Sequence, residues 1–230
     1  MDSKRSIVAR LLVAFVAFSV AGCAPADEET EADDEAAQEL YALKGSAWEI
    51  DDVPVCWKNP RDAAAMGWVK DAVAKSWSAA ANIRFVGWDA CNDKNEAKSI
   101  RIEIDDSRPH SYLGKQALNR PKNESTMLLN FTFEKWSQSC KKQREYCIRA
   151  IAVHEFGHAL GFAHEQARKD TPKSCNLEGA RDDLGSRGMI LGPYDPNSVM
   201  NYCSAKWNNG GVLTKLDVAG VQKVYGAAKK

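Results

Sequence analysis

"HEFGHALGFAHEQ", residues 154–166, places three of the chain's four histidines within eleven positions. Residues four apart on a helix stand one above the other, so His154 and His158 share a face, with rings close enough to hold one cation. Glu155 lies beside them, turned around the helix, where it reaches a water on that cation without ligating it. Gly161 is free to take the positive φ that stops a helix and turns the chain, and the turn brings His164 round as a third ligand. Three protein ligands with an open fourth position describe a catalytic zinc, and imidazole suits that ion, so Zn2+ is the expected cofactor. H-E-x-x-H alone arises by chance on ordinary helices, but H-E-x-x-H-x-x-G-x-x-H is a specific signal. The remaining histidine, His110, reads as a loop or cleft residue.

Outward from this stretch, "CIRAIAVHEFGHALG" (147–161) reads as a helix ended by Gly161. A second helix is expected over 61–82, with Trp68, Ala72, Val73 and Trp77 on one face. Strands are expected at 53–59, 83–88, 99–105 and 126–133. From 165 to 211 the chain is rich in Asp, Pro, Gly and Asn and reads mostly as loop. Thr214 with Asp217 three residues on opens a closing helix as a capping-box-like start. No internal repeat is visible.

The N-terminus reads as a targeting segment. Lys4, Arg5 and Arg10 accompany the apolar run "LLVAFVAFSVA", too short for the roughly 20 residues of a bilayer span and suited to a signal-peptide core. It ends in "VAGC" (20–23), which resembles the bacterial lipobox and makes Cys23 the expected lipidation site. An ordinary secretory signal, cut near Ala24 or Ala26, is the alternative. Both export the chain. The organisation expected is therefore a lipoprotein-type signal over 1–23, an acidic flexible tether over 24–44 and a catalytic domain over 45–230. Residues 27–39 carry eight acids and no base, the composition of a solvated tether. The body beyond residue 39 holds 28 bases against 22 acids, too mild and scattered a balance for nucleic-acid binding. Setting Cys23 aside leaves six cysteines, an even number for an oxidising compartment. Fifteen pairings are open; the one favoured is Cys56–Cys91, Cys140–Cys147 and Cys175–Cys203.

The histidine stretch resembles the zinc-binding helix of the metzincin metalloproteases, and of the astacin family in particular. In that family Glu follows the third histidine and Arg and Asp come at set spacing, as Glu165, Arg168 and Asp170 do in "HEQARKD". The family continues with a further Arg-Asp, where this chain has Thr171-Pro172. "PNSVMNYC" (196–203) resembles the Met-turn. The resemblance implies Met200 as a hydrophobic base beneath the histidines and Tyr202 as an additional zinc ligand that swings away during catalysis. It implies that Glu165 meets a free N-terminus in a buried salt link, for which a lipidated Cys23 offers no amine. "HSYLGK" and "MLLNF" look like the segments leading into the active-site edge strand, and "LTKLDVAGVQKVYG" is similar to the end of many metzincin domains. The implied fold is α+β: a twisted mixed sheet with two long helices in an N-terminal lobe, then a loop-rich C-terminal lobe with the Met-turn and a closing helix.

The expected function is zinc-dependent hydrolysis of peptide bonds. His154, His158 and His164 hold the metal, Glu155 is the general base, and Tyr202 helps stabilise the oxyanion. Polypeptide substrates are expected to pair with an edge strand near 126–133. The protein is expected to be an exported monomer, either a bacterial cell-envelope lipoprotein or secreted, with its lipid anchor as the sole membrane contact. A matrixin-like metzincin is the alternative within the enzymes. The alternative outside them is an exported binding module whose zinc is structural, although no further ligand lies at suitable spacing to close such a site.

Overall fold

The computed structural model describes residues 40–175 and 184–229. In chain order it runs β1 (Tyr41–Leu43), β2 (Asp52–Trp57), α1 (Ala63–Lys75), α2 (Trp77–Ala80), β3 (Arg84–Ala90), β4 (Ile100–Ile104), β5 (His110–Ser111), β6 (Met127–Leu129), α3 (Gln138–Lys142), α4 (Arg144–Ala159), β7 (Gly188–Ile190) and α5 (Lys215–Tyr225). Five strands form a mixed sheet in the order β3-β2-β4-β6-β5. All its pairs are parallel except β5, which runs antiparallel to β6. This is the α+β architecture implied by the sequence, with α1 and α4 as its two long helices.

Alternation decides which face of the sheet is core. Ile100, Ile102 and Ile104 of β4 are buried together with Val53, Val55 and Trp57 of β2, and they share one cluster with Ile148, Ile151 and Phe156 of α4. On the opposite face of β4 Arg101 is wholly buried. Its guanidinium donates to the carbonyls of Glu124, Glu96, Ala117, Arg120 and Pro121 at 2.7–3.3 Å, fixing the segment between β5 and β6 against the turn before β4. Burial pushes this arginine below its ordinary pKa.

Four expectations need correction. The helix over 61–82 breaks at Ser76 into α1 and α2, and its inner face is Ala65, Val69, Ala72 and Val73, with Trp68 only half-buried. The strand at 126–133 is reduced to β6, and it is not the edge: β4 pairs with one side of it and β5 with the other, so His110–Ser111 holds the edge position. The helix at 147–161 begins earlier, at Arg144. Residues 40–43, expected to belong to the tether, are instead buried in the domain, where β1 pairs antiparallel with β7. The expected signal segment, Cys23 and residues 24–39 lie outside the described residues.

The three favoured disulfides are present. Cys56–Cys91 joins β2 to the chain just after β3, Cys140–Cys147 ties α3 to α4, and Cys175–Cys203 clamps the loop after the histidines to the segment after Met200. Their Cα separations of 4.9, 5.4 and 5.6 Å are ordinary for disulfides.

Candidate active site

From Ala150 to Ala159 every residue of α4 is buried, so the helix that carries the first two histidines is a core element. Its terminal carbonyls, which have no partner within the helix, are taken by aromatic donors: Trp48 Nε1 donates to Ala159 O and the Tyr225 hydroxyl to Leu160 O, both at 2.7 Å. Gly161 then adopts φ 97°, and a Cβ there would collide with the Ser46 hydroxyl. Glycine is required on both counts. The turn delivers His164 opposite the helix.

The three imidazoles converge. His164 Nε2 lies 3.2 Å from His154 Nε2 and 3.1 Å from His158 Nε2. The outer nitrogens of the helical pair are already engaged, His154 Nδ1 with the Val199 carbonyl at 2.7 Å and His158 Nδ1 with the Phe162 carbonyl at 2.8 Å. A carbonyl only accepts, so each Nδ1 carries the hydrogen and each Nε2 presents a lone pair inward. Lone pairs converging at this distance repel one another unless a cation lies between them. The donor set therefore fits zinc, and it is the only such group among the described residues. Burial, followed by the neighbouring His158 and His164, pushes His154 far below the usual imidazole pKa, against the Val199 carbonyl. That keeps it neutral and ready to ligate.

Glu155 is buried and faces the cleft beside the cluster. Tyr202 stacks on His154, ring centroids 5.2 Å apart, and lies tilted 4.5 Å from the ring of His164. Met200 is fully buried beneath the histidine helix, and a Cβ on Gly157 would strike its sulfur. Glu165 is fully buried as well. One oxygen accepts from Arg168 Nη1 at 3.3 Å and from the Asp195 amide at 3.1 Å. Burial pushes the Glu165 carboxyl up to about 7, against the Arg168 charge. Arg168 in turn donates to Asp170 at 2.9 and 2.7 Å.

Two supporting residues escaped the sequence reading. Gln166 accepts the Tyr202 amide at 3.1 Å, which places the tyrosine. Asp217 was recognised only as half of a capping box, which it does form with Thr214. Its carboxylate also accepts from the Ser198 hydroxyl (2.6 Å) and the Val199 amide (3.1 Å), so the closing helix holds the same residue whose carbonyl orients His154. Burial pushes this carboxyl up to about 6.

The cleft over the cluster is a cavity of about 600 Å³, bordered by β5 and the residues after it, by Leu43 and by Arg187. His110 lies on this border, in the cleft position expected of it.

The chain matches the matrixin peptidase family over residues 62–171. It is 39% identical over 70 residues to the zinc metalloproteinase dpy-31 of Haemonchus contortus, a stretch covering 25% of this chain and 13% of that protein. It is 36% identical over 78 residues to the meprin A beta subunit of Homo sapiens, covering 28% of this chain and 11% of that one. The chain thus spans roughly an eighth of the length of these relatives. The solved structure of myroilysin shares the fold with a TM-score of 0.59 at 23% identity, covering 80% of this chain and 98% of that one.

Proposed function

We propose that this chain, which carries a metzincin-type metalloproteinase domain, is an exported zinc endopeptidase that hydrolyses internal peptide bonds of proteins. The observation that carries the proposal is the convergence of three imidazole Nε2 atoms, with the outer nitrogens of His154 and His158 committed to backbone carbonyls. His154, His158 and His164 would hold the ion. Zinc bound in this way supplies Lewis-acid activation of water at neutral pH.

The chain's own residues account for the remaining work. Glu155, buried at the cleft, takes the proton as the water attacks the peptide carbonyl and passes it to the leaving amine. The Tyr202 hydroxyl donates to the oxyanion as it forms. Met200 fills the space under the helix so that the imidazoles do not rotate. The exposed edge of β5 offers backbone groups to an extended substrate, which adds there as a further strand. Export rests on the signal-like run, the lipobox-like "VAGC" and three disulfides suited to an oxidising compartment. Cys23 then carries the lipid, and the domain works as a monomer on polypeptides at the cell envelope.

The test is digestion of an unfolded protein such as casein, with and without chelator. Cleavage that stops on chelation and returns with zinc supports the proposal. A chain that binds zinc tightly and cleaves nothing would instead be the non-catalytic binding module.

A further inference from the structure

Two segments that meet at the histidines run side by side. The Glu165 amide donates to the Met200 carbonyl at 3.0 Å, and one residue further on Gln166 Oε1 accepts the Tyr202 amide at 3.1 Å. Cys203, next in the chain, is held separately, by its amide on Asn201 Oδ1 at 2.9 Å and by its bond to Cys175. The main chain around the phenol is thus fixed to the loop that follows His164. Gln166 is 1% exposed, and its Nε2 is buried with no hydrogen-bond partner among the described residues. Leaving a buried amide nitrogen unpaired costs at least as much free energy as one ordinary hydrogen bond returns. Methionine would fill a similar volume with no unpaired group. Stability therefore gives no reason for glutamine at this position; the reason lies in what it holds.

We infer that Gln166 is a positioning residue for the oxyanion step: through the Tyr202 amide it keeps the phenol at a set place over the histidines. This rests on the peptidase function proposed above. The Tyr202 ring lies on His154 at an interplanar angle of 18°. Stacking tolerates a range of offsets, so this contact alone does not set where the hydroxyl lies. An anchor on the main chain does. An oxyanion donor acts only when it lies about 2.7–3.1 Å from the oxygen it stabilises, and a misplacement of about 1 Å costs up to about 10²-fold in rate. Gln166 follows His164 by two residues, so one short segment sets both the third imidazole and the tyrosine. Ligand and donor therefore keep a single spacing.

The test compares Gln166→Met, Tyr202→Phe and the double variant with the parent chain, each loaded with zinc, on a fluorogenic peptide that the parent cleaves. Gln166→Met should lower kcat about tenfold at unchanged KM and zinc content, since only the donor is displaced. In the Tyr202→Phe background the same exchange should cost less than about twofold, because no hydroxyl is left to misplace. An equal loss in both backgrounds, a loss in KM alone, or no loss at all overturns the inference. NMR of the zinc-loaded parent and Gln166→Met proteins reads the geometry without turnover. In the variant the Tyr202 amide should exchange faster with solvent, and the His154 ring protons should lose the shielding that the stacked phenol gives them. A folded variant with both signals unchanged overturns the inference whatever the rates. If the parent cleaves no peptide, the function proposed above fails, while the two NMR signals still decide whether Gln166 positions Tyr202. Gln166→Asn, whose side chain is one methylene too short to reach the amide, carries the same measurements in place of a methionine variant that does not fold.

Discussion

Gly157 lies between His154 and His158, and replacing it with alanine sets two effects of known size against each other. In a helix interior the exchange gains about 1 kcal/mol, because alanine loses less backbone entropy on folding. At this position, however, the new Cβ would land on the Met200 sulfur and 3.0 Å from Cζ2 of Trp77, both fully buried. Overpacking of a tight core costs about 1–3 kcal/mol, so the net expectation is a loss of up to about 2 kcal/mol. For a chain of this size that corresponds to a fall of roughly 4–8 °C in Tm. The internal control is Gly67, inside α1, where an added Cβ meets nothing within 4 Å. Gly67→Ala should therefore raise stability by about 0.5–1 kcal/mol. Thermal unfolding of both variants, with zinc affinity measured alongside, reads the difference. Because Met200 packs against the helix between its two histidines, Gly157→Ala should also weaken zinc binding while Gly67→Ala leaves it unchanged. Equal stabilisation by the two substitutions, with zinc binding intact, would refute the close packing of the histidine helix on Met200.

Further outcomes follow from other residues. Asp217 holds its proton up to about pH 6 in the folded chain, against an ordinary 3.8. The folded state therefore binds more protons between those values, and stability falls by about 3 kcal/mol as pH rises through that window. Urea unfolding at pH 4 and pH 7 should show a smaller loss in Asp217→Asn than in the parent chain, the loss that remains coming from Glu165, whose carboxyl burial raises to about 7; parallel profiles would contradict it. Arg101→Met strands five carbonyls and should cost at least about 3 kcal/mol by denaturant titration, whereas a loss below 1 kcal/mol would mean that water replaces the guanidinium. Tyr202→Phe should lower kcat by about 10²-fold at unchanged zinc content, as removal of one oxyanion donor does; unchanged kcat would leave the hydroxyl without a part in turnover.

The histidine helix and the turn after it were legible because their signal is local: a fixed i, i+4 spacing, an apolar run and a glycine where positive φ is needed. The same holds for β2 and β4, whose side chains alternate or run apolar around Ile100, Ile102 and Ile104. The edge strand was not legible. His110–Ser111 is two residues long and has no periodicity to read, so the longer run at 126–133 drew the assignment, although β5 covers its open side. Burial of Leu40 to Leu43 was masked by the acidic stretch before them, since pairing with β7 depends on a segment almost 150 residues later. The second role of Asp217 was hidden for the same reason: a capping box is visible at i and i+3, but the hold on Val199 exists only once the chain has folded back. Cysteine pairing is also non-local, and the favoured set was one of fifteen that the sequence allowed.

Glu155→Gln tests the central claim most directly, because it keeps the size of the side chain and leaves the three imidazoles untouched. The variant should retain one zinc per chain, by metal analysis, and lose casein hydrolysis by several orders of magnitude. A zinc-loaded Glu155→Gln protein that still digests casein at the parent rate would contradict the assignment of Glu155 as the base, and with it the account of this cleft as a zinc peptidase site.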